Sequence, residues 1–328
     1  LMLLAALLAP APLYPASRPA ASGRNGMVVA PEANATAAGL EILKCDGNAM
    51  DAALATAFVL AVTYPGAGNL GGGGFLLYRT PDGAFHAHDH RETAPASLSG
   101  GMFLDREGKP VPERSLHGGL AVGVPGTVAG LLDAHRRWGS LPIKDLVAPA
   151  IRLAEGGFAL SRETAASLNR KSALLSADPE TAKIFVRRDR RWREGDILVQ
   201  ADLAATLKLL AGGDPQPFYT GKIGQAMVET VRAHGGDMSL DDMASYKPVL
   251  RKPLHSVYRG YRITSFPPPS SGGLVLLQIL KMLEPFDLFA AGYGGSLTIH
   301  LVVEAERRAY ADRATWMGDP DFFDVPVD

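Results

Sequence analysis

Five residues with chemically capable side chains crowd the stretch 86–91. They are His86, His88, Asp89, His90 and Arg91. Residues two apart on a strand share a face, so the three imidazoles should point one way and Asp89 and Arg91 the other. Imidazoles are zinc ligands, but neighbours two apart on a strand stand about 6.6 Å apart, too far for one tetrahedral site. No fourth ligand is placed, so the histidines are predicted to form a half-exposed strand face with no metal. Arg91 sits at the strand end, close in sequence to a glycine-rich segment. A planar guanidinium offers two parallel N–H donors to one carboxylate and keeps its charge at all relevant pH. Arg91 is therefore either a carboxylate clamp or one half of an ion pair with Glu92 or Asp89.

Other candidates carry less. The run GNLGGGGF (68–75) could turn backbone N–H groups toward an anion. It precedes a strand rather than a helix and lacks the Gly-Lys-Ser/Thr ending, so nucleotide binding is not expected. The glycines should instead admit a close approach of another backbone or a substrate. PPPSSGG (267–273) fixes an extended backbone before a helix that Ser270 or Ser271 can cap. No GxSxG elbow supports a serine nucleophile. Cys45 has no base nearby in sequence and is expected as a small buried residue. Arg187, Arg188, Arg190, Arg191 and Arg193 surround Trp192, but Asp189, Glu194 and Asp196 interrupt them, so a solvated charged hairpin is expected over 184–199.

The elements that must position these residues follow from the pattern. The chain has 328 residues, 47% apolar and 20% charged, enough for a large core and against wholesale disorder. A formal net charge of −1 gives no field toward nucleic acid or anionic membrane. One cysteine excludes an internal disulfide. The spacing predicts a buried strand over 26–30 and a helix over 36–44 stopped at Gly47. A second helix over 49–62 should be capped by Asn48. A hairpin should turn at Pro81-Asp82-Gly83. Beyond residue 125 helices dominate, with starts at Thr127, Ser161 and Ser239, the last in a capping box with Asp242. Tyr258-Arg259-Gly260-Tyr261 should turn two short strands, and a long helix should begin at Ser296. Strands mixed with paired helices point to an α/β class.

Residues 1–8 (LMLLAALL) followed by APAPLYPAS fit the apolar and cleavage regions of a secretory signal peptide that begins partway. Residues 1–22 are assigned to that signal and 23–328 to the folded portion. The mature protein should start near Ala21 and be periplasmic or secreted. No later segment is apolar enough for a stable membrane span.

Several motifs occur together and in order. They are GMVVAPEANATAAGLEILKCDGNAMDAALATAFVLAVTYPGAGNLGGGGFLLYR, HDHRETAPASLSGGMFLD, VPGTVAGLLDAH, YRGYRITSFPPPSSGG and AERRAYADRATWMGDPDF. In them the chain resembles gamma-glutamyltranspeptidases. The resemblance implies a four-layer αββα sandwich of the N-terminal-nucleophile hydrolase type, completed by a small subunit cut from the same precursor. It implies a Thr nucleophile on that subunit, no catalytic residue in this chain and no cofactor. It makes Arg91, in Arg91-Glu92-Thr93-Ala94-Pro95, the substrate-binding residue for the α-carboxylate of a γ-glutamyl group. The implied substrates are glutathione and related compounds, with water, amino acids or peptides as acceptors. The partner is the small subunit in a heterodimer, so an isolated chain should expose a broad apolar surface. Because the family's Thr-Thr-His-like processing site lies beyond Asp328, the chain is expected to be most of a large subunit, inactive alone. Two alternatives stand beside this: an acylase for cephalosporin or poly-γ-glutamate substrates, and a non-catalytic remnant.

Overall fold

The computed structural model describes residues 20–327, so the expected signal segment lies almost wholly outside the described residues. Two helices open the fold. Ala33–Lys44 (α1) starts where the Glu32 carboxylate accepts the Ala35 N–H at 2.9 Å. It ends at Cys45, and Asp46 rather than Gly47 takes the left-handed conformation, at φ 61°. Cys45 is exposed, not buried as expected, because it lies past the helix's last buried turn. Ala49–Thr63 (α2) opens on the predicted cap, made reciprocal by Asp51. The Asn48 side chain accepts the Asp51 N–H at 2.9 Å and Asp51 accepts the Asn48 N–H at 3.0 Å. Asp51 is fully buried because it also accepts the Ser140 N–H at 3.0 Å. The stretch 26–30 is not a strand. Met27 and Val29 are exposed, and among the described residues no strand pairs with them.

Helices Thr127–Trp138 and Ile143–Gly156 pack on α2, and Ala201–Leu210 packs on Ile143–Gly156, around Phe58, Leu132, Leu146 and Leu207. Each such side chain contributes roughly 1.5–3 kcal/mol by leaving water.

Seven short strands lie among the helices of the described residues. They are β1 (Phe75–Arg79), β2 (Phe85–Asp89), β3 (Phe158–Ala159), β4 (Ile197–Leu198), β5 (Val249–Arg251), β6 (Leu254–Tyr258) and β7 (Tyr261–Ser265). β1 and β2 form the expected hairpin, with Phe75 opposite Asp89. β5 joins the free edge of β2, with Asp89 opposite Val249 and Ala87 opposite Arg251. One face of this sheet carries Tyr78, His86 and His88. Tyr78 and His86 rest on Trp138, at 5.4 and 5.2 Å between ring centres. The histidine face is thus covered by a helix rather than half-exposed, and His88 and His90 are buried.

The expected charged hairpin over 184–199 is corrected too. Helix Pro179–Phe185 takes its first residues, and β4 pairs with β3 instead. Arg190 grips Asp196 with two nitrogens at 2.6 and 2.8 Å, and Arg187 stacks 4.2 Å above the Trp192 ring. β6 and β7 do form the Tyr258–Tyr261 hairpin, with Arg259 and Gly260 both at positive φ, as a tight two-residue turn requires.

Helices Ser271–Leu283 and Ser296–Trp316 close the described chain and pack on each other. The second buries only Ala305 and Ala309 of its 21 residues, while Leu297, Ile299, Val303, Tyr310 and Trp316 are exposed. Antiparallel sheets sandwiched with helices make an α/β fold.

Candidate active site around Arg91

Arg91 leaves the sheet just past β2. The ladder continues one residue beyond the strand: His90 donates to the Gly74 carbonyl at 3.0 Å and Gly74 to the His90 carbonyl at 3.2 Å. The main chain of Arg91 is then held on both sides. Its N–H donates to Asp89 Oδ1 at 3.0 Å, and its carbonyl accepts the Tyr246 hydroxyl at 2.9 Å. Tyr246 lies parallel to Tyr219, 6.0 Å between ring centres. Tyr219 in turn donates to the Pro125 carbonyl at 2.8 Å and accepts the Ala129 N–H at 3.1 Å.

The glycine run is the pedestal under this turn. A Cβ on Gly73 would stand 2.8 Å from Arg91 Cα and 2.7 Å from the Glu92 nitrogen. One on Gly126 would stand 2.0 Å from the His90 carbonyl oxygen and 2.2 Å from the Tyr246 hydroxyl. Only glycine permits backbones this close. Two N–H groups of the run are spent inside the fold, Gly72 on Asn69 Oδ1 at 2.9 Å and Gly74 on the His90 carbonyl at 3.2 Å. The close-approach reading holds at Gly73.

The Arg91 side chain is exposed, and among the described residues its guanidinium makes no ion pair. The neighbouring acid is already engaged: Asp89 Oδ2 accepts Arg251 Nε at 2.7 Å. Arg91 stands between two open clefts of about 540 and 500 Å³. The first is also lined by Glu92, Ser271, Arg313 and Asp319, the second by Thr93, Ala94, Pro95 and Leu120. Ser271 belongs to PPPSSGG, and its hydroxyl accepts Arg313 Nε at 2.9 Å, a partner that cannot act as a base. Ser270 caps the following helix through the Gly272 N–H, the role its position predicts.

The histidines form a buried network beneath. His88 Nε2 lies 3.0 Å from Asp133 Oδ2, and Asp133 also accepts Arg136 at 2.8 Å and Arg137 at 2.6 Å. A carboxylate only accepts, so His88 carries its proton on Nε2 and turns Nδ1 toward His90 Nδ1 at 3.4 Å. Burial pushes Asp133 up, but hydrogen bonds from Arg137 and His88 outweigh it and hold the carboxyl below its ordinary value. Burial, with the charge of His88 second, pushes His90 down to about 4, so it is neutral at pH 7. Among the described residues no three such side chains are placed to hold a metal.

A sequence model of the gamma-glutamyltranspeptidase family matches residues 35–328. The chain belongs to this family. It is 44% identical over 304 residues to the glutathione hydrolase proenzyme of Escherichia coli (strain K12), covering 92% of this chain and 52% of that protein. It is 39% identical over 313 residues to the acylase ACY 1 proenzyme of Pseudomonas sp. (strain V22), covering 94% and 56%. The chain thus spans about half the length of the curated relatives it matches. The crystal structure of Helicobacter pylori gamma-glutamyltranspeptidase superposes with a TM-score of 0.91 at 42% identity, covering 94% of this chain and 89% of that one. A cephalosporin acylase from Bacillus halodurans superposes with a TM-score of 0.83 at 29% identity, covering 96% and 60%. The α/β layering described above is shared with these gamma-glutamyltranspeptidase-family folds.

Three residues around Arg91 carried no local signal in the sequence. Tyr246 binds the Arg91 carbonyl and Arg251 binds Asp89, each from more than 150 positions away and only through tertiary pairing. Asp321 lies in the GDPDF motif, whose membership of the site no spacing rule reveals.

Proposed function

We propose that this chain is the donor-binding part of a γ-glutamyl hydrolase or transferase, with Arg91 as the clamp for the α-carboxylate of the γ-glutamyl group. One observation carries the reading: an exposed guanidinium between two clefts, free of acid partners among the described residues, on a main chain fixed at both its N–H and its carbonyl. A fork anchored this way pins the far end of the donor. The γ-carbonyl is then presented in one place, where orientation converts binding into rate. In this reading residues 23–328 are one subunit portion, and a Thr nucleophile comes from a small subunit of the same precursor. That partner lies against the exposed apolar side of helix Ser296–Trp316 and completes the αββα sandwich. Glutathione and related γ-glutamyl compounds are the donors, with water, amino acids or peptides as acceptors. The leader at 1–22 directs the protein out of the cytoplasm. Among the described residues no helix is long and apolar enough to cross a membrane.

The test uses this chain assembled with the small subunit and a γ-glutamyl anilide as donor. Replacing Arg91 with Gln removes two charge-assisted hydrogen bonds and should lower kcat/KM by roughly 10²–10³-fold, about 3–4 kcal/mol. Arg91→Lys should fall between, since an ammonium keeps the charge but loses the fork. A Gln variant within threefold of the parent would overturn the assignment. A second reading has support in the acylase relatives: a glutaryl group also ends in a carboxylate that Arg91 could hold. Comparing glutaryl and γ-glutamyl anilides separates the two, because only the latter carries an α-amino group.

A further inference from the structure

The acid that holds Arg91 belongs to a relay reaching the last described turn of the chain. Asp89 is 6% exposed and uses both oxygens. Oδ1 accepts the Arg91 N–H at 3.0 Å and Oδ2 accepts Arg251 Nε at 2.7 Å. Arg251, on β5, turns its other two nitrogens to Asp321. Nη1 meets Oδ1 at 2.9 Å and Nη2 meets Oδ2 at 2.8 Å. The Arg251 side chain is only 11% exposed, whereas that of Asp321 is half-exposed. Arg251 therefore grips Asp89 by one bond and Asp321 by two. A bidentate pair fixes the plane of a guanidinium, which a single bond does not. That plane decides where Nε points. Nε decides the rotation of the Asp89 carboxylate, and the carboxylate decides where the Arg91 N–H is held. Asp319, two residues before Asp321 and hydrogen-bonded to its N–H at 3.0 Å, lines the same cleft as Arg91.

We propose that Asp321, acting through Arg251 and Asp89, is a positioning residue for the Arg91 clamp and thereby sets recognition of the donor's α-carboxylate. The inference rests on the reading of Arg91 given above. Asp321 does not touch the donor. It fixes the main chain from which the guanidinium reaches. A merely structural ion pair would depress every activity alike when broken. A positioning role depends on Arg91 being there to position.

The experiment is a double-mutant cycle on the assembled enzyme with a γ-glutamyl anilide. With Arg91 intact, Asp321→Asn should raise KM about tenfold and change kcat by less than about threefold. Asp321→Glu, which keeps the carboxylate, should recover part of that loss. In an Arg91→Gln background, Asp321→Asn should change KM by less than about twofold. Asp321 is half-exposed, and circular dichroism checks that its variants keep the fold. Arg251→Lys is the second variant, expected to reproduce the KM rise because it keeps a charge and loses the fork. An equal fold-loss in both backgrounds, or an unchanged KM with Arg91 intact, overturns the positioning role while leaving the clamp standing. If Arg91→Gln alone has no effect, the clamp reading fails first and the relay has nothing to position.

Discussion

His90 should make this protein acid-sensitive in a window set by one buried imidazole. In the folded chain His90 is held down to about 4 from an ordinary value of 6.5, by burial first and by His88 second, with Asp89 opposing. Above pH 6.5 both folded and unfolded states carry it neutral, and it contributes no pH dependence. Between about 6.5 and 4 the unfolded chain binds the proton and the folded chain does not, so stability falls as pH falls. Below about 4 both states are protonated and the loss levels off. The difference of about 2.5 pH units corresponds to about 3–4 kcal/mol at roughly 1.4 kcal/mol per unit. The assay is urea unfolding of the assembled protein at pH 7.5, 6.5, 5.5 and 4.5, with subunit concentration held constant. His90→Gln is the control, since it cannot titrate. The parent should lose stability more steeply than the variant across that window, by about one proton's worth of slope. The carboxylate network at Asp133 is common to both proteins and drops out of the comparison. Parallel pH curves would refute the reasoning, because they would mean His90 is not held neutral by its surroundings.

Two further perturbations follow from the packing. Gly73→Ala puts a methyl 2.8 Å from Arg91 Cα, so the turn must shift. KM for a γ-glutamyl anilide should rise about tenfold or more while circular dichroism stays unchanged, and an unaltered KM would show that the pedestal does not set the clamp. Asp51→Ala removes the reciprocal cap of α2 and leaves the Ser140 N–H without its acceptor. It should cost about 2–4 kcal/mol in urea unfolding, with Asp51→Asn milder.

Local chemistry was readable wherever it acted over three or four residues. The Asn48 cap, the Ser239–Asp242 box, the Tyr258–Tyr261 turn and helix Thr127–Trp138 all fall where spacing puts them. The failures are tertiary. The 26–30 stretch has strand-forming residues but, among the described residues, no neighbour to pair with. The 184–199 stretch pairs with β3 instead of itself, because Trp192 is buried and its indole nitrogen bonds to the Phe185 carbonyl at 2.7 Å. Alternation alone gives a half-wet histidine face and cannot reveal that Trp138 and Asp133 cover it. The same limit governs the site. Arg91 stands out by its type and setting, and the resemblance gives it a role. Tyr246, Arg251 and Asp321 enter only through the addition of β5 to the sheet edge and the return of the last helix, which no window of sequence contains.

The exposure of Cys45 has a practical side. It is the chain's sole cysteine and sits in water at the end of α1. A maleimide dye would therefore attach at one known point without mutagenesis. A quencher on the small subunit would then turn assembly into an optical signal.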